Sequence, residues 1–174
     1  MNLEQEVLKA KEGDREAFIR LMKSTETALH NTARAMVKRD EDIADVLQET
    51  ILKAYKSLHL LREPGFFRTW IFRILINECH TVLKKASRSI AVAELPTVPA
   101  SSHDYDNVDL RMAVDRLEDQ QRIAIVLYYF QDMTLKQVAE TLDISESAAK
   151  TRLYRARKTL LEELRPQTER EDAL

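Results

Sequence analysis

Six side chains between Ser145 and Leu161 have the chemistry of nucleic-acid recognition: Ser147, Lys150, Thr151, Tyr154, Arg155 and Lys158. Their spacing of mostly three and four residues puts them on one side of a helix. Lysine, arginine, threonine and tyrosine can donate to base edges or phosphates in a major groove. Ala149, Leu153, Ala156 and Leu160 form the opposite, inward stripe. Just upstream, Thr134 is placed to cap a helix through Thr141, with Leu135, Val138, Ala139 and Leu142 on one face. Leu142-Asp143-Ile144 makes a short turn, and Ser145 caps the next helix. The pattern is a helix-turn-helix with a basic, polar second helix. An ordinary helical hairpin with a wet face fits the same periodicity. Asp143 stands where such turns often hold glycine, and aspartate tolerates the left-handed conformation better than most residues.

Covalent and metal chemistry is not visible. His30, His59, His80 and His103 are scattered, and Cys79-His80 are adjacent rather than at ligand spacing on a helix. There is no zinc pattern, phosphate-binding glycine loop or nucleophile motif. The reading is therefore not an enzyme, with no cofactor and no metal.

The elements that carry the basic helix follow from composition. In 174 residues there are 2 glycines and 4 prolines, with 32% charged and 44% hydrophobic residues. Tight hairpins consume glycine, so sheet-rich folds are disfavoured and an all-α protein is expected. No run of about 18 apolar residues occurs, and Met1 to Glu6 shows no signal sequence. One cysteine, Cys79, allows no internal disulfide, which points to the cytoplasm.

Helical periodicity covers most of the chain. Glu16 to Lys38 offers Phe18, Leu21, Met22, Leu29, Ala33, Met36 and Val37. From Asp42 the apolar positions are Ala44, Leu47, Ile51, Ala54, Tyr55 and Leu58. Pro64-Gly65 marks a loop before Phe66 to Leu83, which is apolar on most sides and should be the most buried helix of the first half. Trp70 there reads as core. The signal stops at Ser89 to Asn107, which reads as an extended tether, and resumes from Leu110 through Phe130. Two small helical domains on a flexible tether result, with a charged tail after Leu164. The net charge of −2 conceals segregation. Arg62 to Arg88 holds six bases against two acids, and Ser145 to Leu161 five against one. Ser89 to Gln121 holds seven acids against two bases. Two basic patches separated by acid fit two anchors on one polyanion; solvated helix faces are the plain alternative.

The stretch MTLKQVAETLDISESAAKTRLYRARKTLLEEL resembles the carboxy-terminal region of bacterial sigma factors of the extracytoplasmic-function type. LEDQQRIAIVLYYF is similar to the helix pair that precedes that motif, and DREAFIRLM, IADVLQETILKAYKSL and FFRTWIFRILINECHTVLKK resemble the family's amino-terminal domain in the same order. Departures are Asp143 for the usual glycine and Ser147-Ala148-Ala149 where Gly-Thr-Val is common.

The resemblance implies a region 2 domain over 1–90, a linker over 91–107 and a region 4 domain over 108–174. It implies a subunit that joins core RNA polymerase and directs it to promoter DNA, under an anti-sigma factor, with no small-molecule substrate and no membrane insertion. Asp45, Gln48, Glu49 and Leu52 would face the polymerase. Arg62, Phe67, Arg68, Arg73, Asn77, Lys84, Lys85 and Arg88 would meet the minus-ten element, Asn77 reading a base and the loop from Arg62 to Phe67 receiving a flipped one. Ser147, Lys150, Thr151, Arg152, Tyr154 and Arg155 would meet the minus-thirty-five element. The acidic linker would thread the polymerase channel or act as a plain tether. The alternative is a stand-alone helix-turn-helix regulator, which would need a dimer surface; no heptad run supplies one.

Overall fold

The computed structural model describes residues 2–90 and 108–164, and every regular element among them is helical. The expected tether over 91–107 and the tail from 165 lie outside the described residues. The first half contains α1 (Leu3–Lys11), α2 (Arg15–Met36), α3 (Asp40–Ser57), 3-10 turns at Leu58–Leu60 and Pro64–Phe66, and α4 (Phe67–Ile90). The second contains α5 (Val108–Arg116), α6 (Asp119–Ile125), α7 (Leu135–Leu142) and α8 (Glu146–Glu163), with α6 running into a π-helical turn at Val126–Phe130.

α1 carries a short apolar stripe, Leu3, Val7 and Ala10, of which Val7 is completely buried. Polar contacts hold it further. Asn2 caps it by accepting from the Gln5 amide, and Arg20 of α2 grips the Glu6 carboxylate at 2.7 Å. That hydrogen bond lowers the Glu6 pKa. The turn into α2 requires φ +99° at Gly13, a conformation glycine adopts without Cβ strain. Asp14 then caps α2 by accepting from the Ala17 amide at 3.1 Å.

α3 corrects the sequence reading. The buried stripe is Ile43, Val46, Thr50 and Ala54, while Ala44, Ile51 and Tyr55, expected inside, are exposed. Ile43 and Val46 are as apolar as the positions expected inside, and Thr50 joins their stripe although it is polar. Its hydroxyl donates to the Val46 carbonyl at 2.7 Å, so it enters the core with its hydrogen bond satisfied. The true stripe is therefore rotated by about one residue, or 100°.

α4 is the axis of the first half, as expected. Phe67, Ile71, Phe72 and Leu75 are fully buried, and Ile76 and Cys79 nearly or fully so. Lys53 of α3 donates to the Glu78 carboxylate of α4 at 2.5 Å. The two halves, expected as separate units, pack on each other: α7 lies against α4 and α6 against α2. Ile123, Leu127, Met133, Val138 and Ala139 belong to the same apolar core as Phe72 and Leu75. Val114, Leu117, Ala124, Ile125, Leu153 and Ala156 form a second core among α5, α6 and α8.

Burial, aided by the neighbouring Glu78 charge, pushes the Cys79 thiol up to about 12. Thiolates, not thiols, are alkylated. Iodoacetamide at pH 8 is expected to leave the native chain unmodified while labelling the urea-unfolded chain fully, as mass spectrometry would read. Between the ordinary 9.0 and about 12 the unfolded chain releases a proton that the folded chain keeps, so unfolding midpoints should fall as pH rises through that window.

Candidate nucleic-acid interface

The helix-turn-helix forms as its local signals dictate. Thr134 and Gln137 make a reciprocal capping box: the Gln137 amide donates to Thr134 Oγ1 at 3.2 Å, and the Thr134 amide donates to Gln137 Oε1 at 2.9 Å. α7 ends at Asp143, which takes the left-handed conformation at φ 55°, ψ 46°. The Ile144 amide then donates to the Ala139 carbonyl at 3.0 Å, closing the helix end. Ser145 caps α8 by accepting from the Ala148 amide at 3.1 Å. Between them, these contacts fix the angle of α8 without any glycine.

On α8 the inward stripe is Ala149, Leu153 and Ala156, all buried. Ser147, Lys150, Thr151, Tyr154 and Arg155 are exposed, Tyr154 at 69%, and Arg152 is half-buried at the edge. The Thr151 hydroxyl donates to the Ser147 carbonyl at 3.0 Å, which leaves its lone pairs, not its proton, facing outward. Arg157 lies 5.6 Å above the Tyr129 ring and braces α8 on the end of α6. The surface is one row of polar and basic groups on a rigid helix, the shape and chemistry that a major groove admits.

The second basic surface lies on α4. Asn77, Lys84 and Lys85 are exposed on it, Arg62 is exposed in the preceding loop, and Arg88 falls in the last turns of the helix. Phe67 is corrected. It is 0% exposed and packs tilted against Trp70, with ring centroids 6.0 Å apart. A fully buried ring cannot meet a base; the exposed aromatic of this loop is Phe66, at 48%. Trp70 is half-buried against the core, as expected. The loop is set by α1. Lys11 Nζ donates to the Leu61 carbonyl at 2.6 Å, and Gly65 passes so close to Glu4 that a Cβ there would lie 3.2 Å from its carboxylate.

Arg68 and Arg73 point elsewhere than expected. Arg68 donates to the Gln131 carbonyl at 3.0 Å, and Arg73 pairs with Asp143 at 3.2 Å. Both partners belong to the second half. A third guanidinium that the sequence did not single out, Arg122 of α6, is buried. It donates to the Ala35 carbonyl of α2 at 2.5 Å and the Leu117 carbonyl at 2.7 Å, and it also bonds the Asp119 carboxylate.

Asp45, Gln48, Glu49 and Leu52 form an exposed row on α3, with Leu52 at 42%. Ile51 and Tyr55, missed because the stripe was placed one residue off, extend it into an apolar patch; the Tyr55 ring meets Phe18 edge-on at 5.1 Å. Among the described residues no cluster of histidine, cysteine and carboxylates has metal-binding geometry, and no helix is long and apolar enough to cross a membrane.

A helix-turn-helix with an exposed polar and basic row, coupled to a second all-helical unit with its own basic helix, is the architecture of a two-part nucleic-acid-binding protein. Residues 21–89 match the sigma-70 region 2 model and residues 107–160 the sigma-70 region 4 model. The chain is 32% identical over 135 residues to the RNA polymerase sigma factor SigV of Bacillus subtilis, covering 75% of this chain and 81% of that protein. It is 31% identical over 152 residues to the ECF RNA polymerase sigma factor SigM of Mycobacterium tuberculosis, covering 85% and 77%. Among solved structures, CnrH in complex with the cytosolic domain of CnrY aligns with a TM-score of 0.70 at 25% identity, covering 92% of this chain and 95% of that one. The fold is shared with the sigma factor RpoE of Bartonella quintana, solved with the anti-sigma factor NepR, at a TM-score of 0.71 and 24% identity, covering 84% and 96%. The chain belongs to the extracytoplasmic-function group of the sigma-70 family.

Loss of the capping box tests how the recognition helix is positioned. Thr134→Ala is expected to lower stability by about 1 kcal/mol in urea unfolding, because the Gln137 amide loses its acceptor and the reciprocal bond to the Thr134 amide loosens.

Proposed function

We propose that this chain docks on core RNA polymerase through the α3 face and places α4 on the minus-ten element and α8 on the minus-thirty-five element of a promoter. The observation that supports this best is the exposed polar and basic row Ser147, Lys150, Thr151, Tyr154 and Arg155 on a helix whose angle is fixed by caps at both ends of a turn. The work is recognition rather than catalysis. Arg155, one turn beyond Thr151, has the planar fork that meets two acceptors of guanine at once, whereas Lys150 near the helix start is a point charge suited to phosphate. Arg62, Asn77, Lys84 and Lys85, exposed on α4 and the loop before it, are the groups offered to the opened strand, and Phe66, not Phe67, is the aromatic on which an extruded base would stack.

The α3 face offers acids and an amide around Leu52, Ile51 and Tyr55. An apolar centre with a charged rim is the composition of a protein interface, and the acids call for a basic partner helix. An anti-sigma factor is the proposed regulator; CnrH, a solved neighbour at 25% identity, was captured with the cytosolic domain of a second protein.

Pull-down of core polymerase tests the docking face. Asp45→Lys with Glu49→Lys should weaken capture at least tenfold while leaving the circular dichroism spectrum and melting temperature unchanged, since both side chains lie outside the core. Undiminished capture would remove α3 as the docking surface.

Transcription from a promoter library at two salt concentrations separates the two kinds of contact on α8. Arg155→Ala should cost roughly 1–3 kcal/mol and relax preference at one minus-thirty-five position. Lys150→Ala should weaken all promoters alike and lower the salt slope by about one phosphate. If both variants shift base preference, or neither does, α8 does not lie in the groove in this register.

A further inference from the structure

The loop that carries Phe66 is not shaped by its own side chains. Its 3-10 turns, Leu58–Leu60 and Pro64–Phe66, are closed by the Leu61 amide donating to the Leu58 carbonyl at 3.1 Å and the Phe66 amide donating to the Glu63 carbonyl at 3.0 Å. Neither turn has a capping side chain. Leu58 and Leu61 root the stretch in the core, while Arg62, Glu63, Gly65 and Phe66 are exposed. Short 3-10 turns have poor hydrogen-bond geometry and do not by themselves hold an exposed loop in one conformation.

α1 supplies the missing support. It packs against both turns. At its carboxy-terminal end Lys11 Nζ donates to the Leu61 carbonyl at 2.6 Å, and at its amino-terminal end Glu4 closes on Gly65, where a Cβ would lie 3.2 Å from the carboxylate. Positions 4 and 11 share a face of the helix and stand about 10.5 Å apart along its axis. The chain from Leu61 to Gly65 reaches at most about 14 Å when fully extended, so two turns of α1 run beside most of it. On the other flank of Val7, Arg20 of α2 grips Glu6. α1 therefore ties the loop to α2, and it does so from ahead of residue 21, where the match to the region 2 model begins.

We propose that α1 is a splint for the base-receiving loop and that Lys11 is a positioning residue for minus-ten specificity. The proposal rests on the assignment of this loop to an extruded base. Lys11 itself touches no DNA. By holding the Leu61 carbonyl it keeps Arg62 and Phe66 in one arrangement before the base arrives, so binding does not also have to order the loop. A loop fixed in shape discriminates between bases, whereas a loose one adapts to either.

The test compares Lys11→Met, which keeps the stem and removes the donor, with Lys11→Arg, which keeps a charged donor. Thr25→Ala, at a buried position of α2, lowers stability away from the loop and serves as the control. Phe66→Ala reports on the assignment itself. In the free chain, amide hydrogen exchange at Leu61 and Phe66 is expected to quicken about tenfold in Lys11→Met, the worth of one charge-assisted hydrogen bond, and to keep the parent rate in Lys11→Arg and Thr25→Ala. In transcription by core polymerase from a promoter library, Lys11→Met is expected to flatten preference at one minus-ten position about fivefold, leaving minus-thirty-five preference and the salt slope as they were. Lys11→Arg and Thr25→Ala should keep the parent preference. Unchanged exchange in Lys11→Met overturns the splint. Faster exchange with minus-ten preference intact overturns the specificity role. An equal loss of preference in Thr25→Ala reduces the effect to stability, and a uniform loss over all promoters with a lower salt slope makes Lys11 a phosphate contact; either overturns the positioning role. If Phe66→Ala leaves minus-ten preference intact, the assignment of the loop fails and the specificity role falls with it, while the exchange rates still decide the splint.

Discussion

The apolar surplus of α4 governs the architecture. A surface helix needs one apolar stripe about 100° wide, and α4 is buried on more than that. Phe67, Ile71, Phe72, Leu75, Ile76 and Cys79 require cover from several directions, which α2, α3 and α7 provide. At roughly 25 cal/mol per Å2 of apolar surface, leaving one such face in water would cost several kcal/mol, a large fraction of a domain's net stability. The position of the second half follows from this demand as much as from any hydrogen bond. The helix that must open DNA strands is also the helix that most needs company, and that coincidence links recognition to conformation.

Electrostatics distribute over the fold in the same way. A net charge of −2 gives no field that would attract DNA at long range, yet each recognition helix is locally basic. Cations on α8 project into solvent, while two on α4 are turned onto oxygens of the protein itself. The acids of α3 lie on a separate element from both basic helices, so the protein-binding and DNA-binding chemistries do not neutralise one another.

Legibility in the sequence followed the range of the interactions. The helix-turn-helix was readable because its signals are local: Thr134 caps within three residues, Asp143 bends a single position, and Ser145 caps within three. The all-helical class was readable from the scarcity of glycine. The face of α3 was misread because apolar residues lie on two adjacent faces, Ile43 and Val46 on one and Ala44 and Ile51 on the other, and hydropathy does not count the backbone bond that lets Thr50 join the first. α1 was missed because its apolar stripe is only three residues long, Leu3, Val7 and Ala10, and contacts to Arg20 and the 58–66 loop complete its anchoring. Phe66 and Phe67 are neighbours of the same type, and only the helix start between them decides which ring is outside. The contacts of Arg68, Arg73 and Arg122 span 63 to 87 residues and have no local signature.

The cover that α7 gives α4 has a consequence during synthesis. Translation delivers the whole of α4 before any of α7, which begins some 45 residues after α4 ends. At roughly 5–20 residues per second the ribosome takes about 2–9 s to supply the missing helix. Through that interval the nascent first half carries an uncovered apolar strip beside a row of cations. Such a surface is a chaperone substrate by composition, and the yield of folded protein in a cell depends on how quickly the second half arrives to take its place.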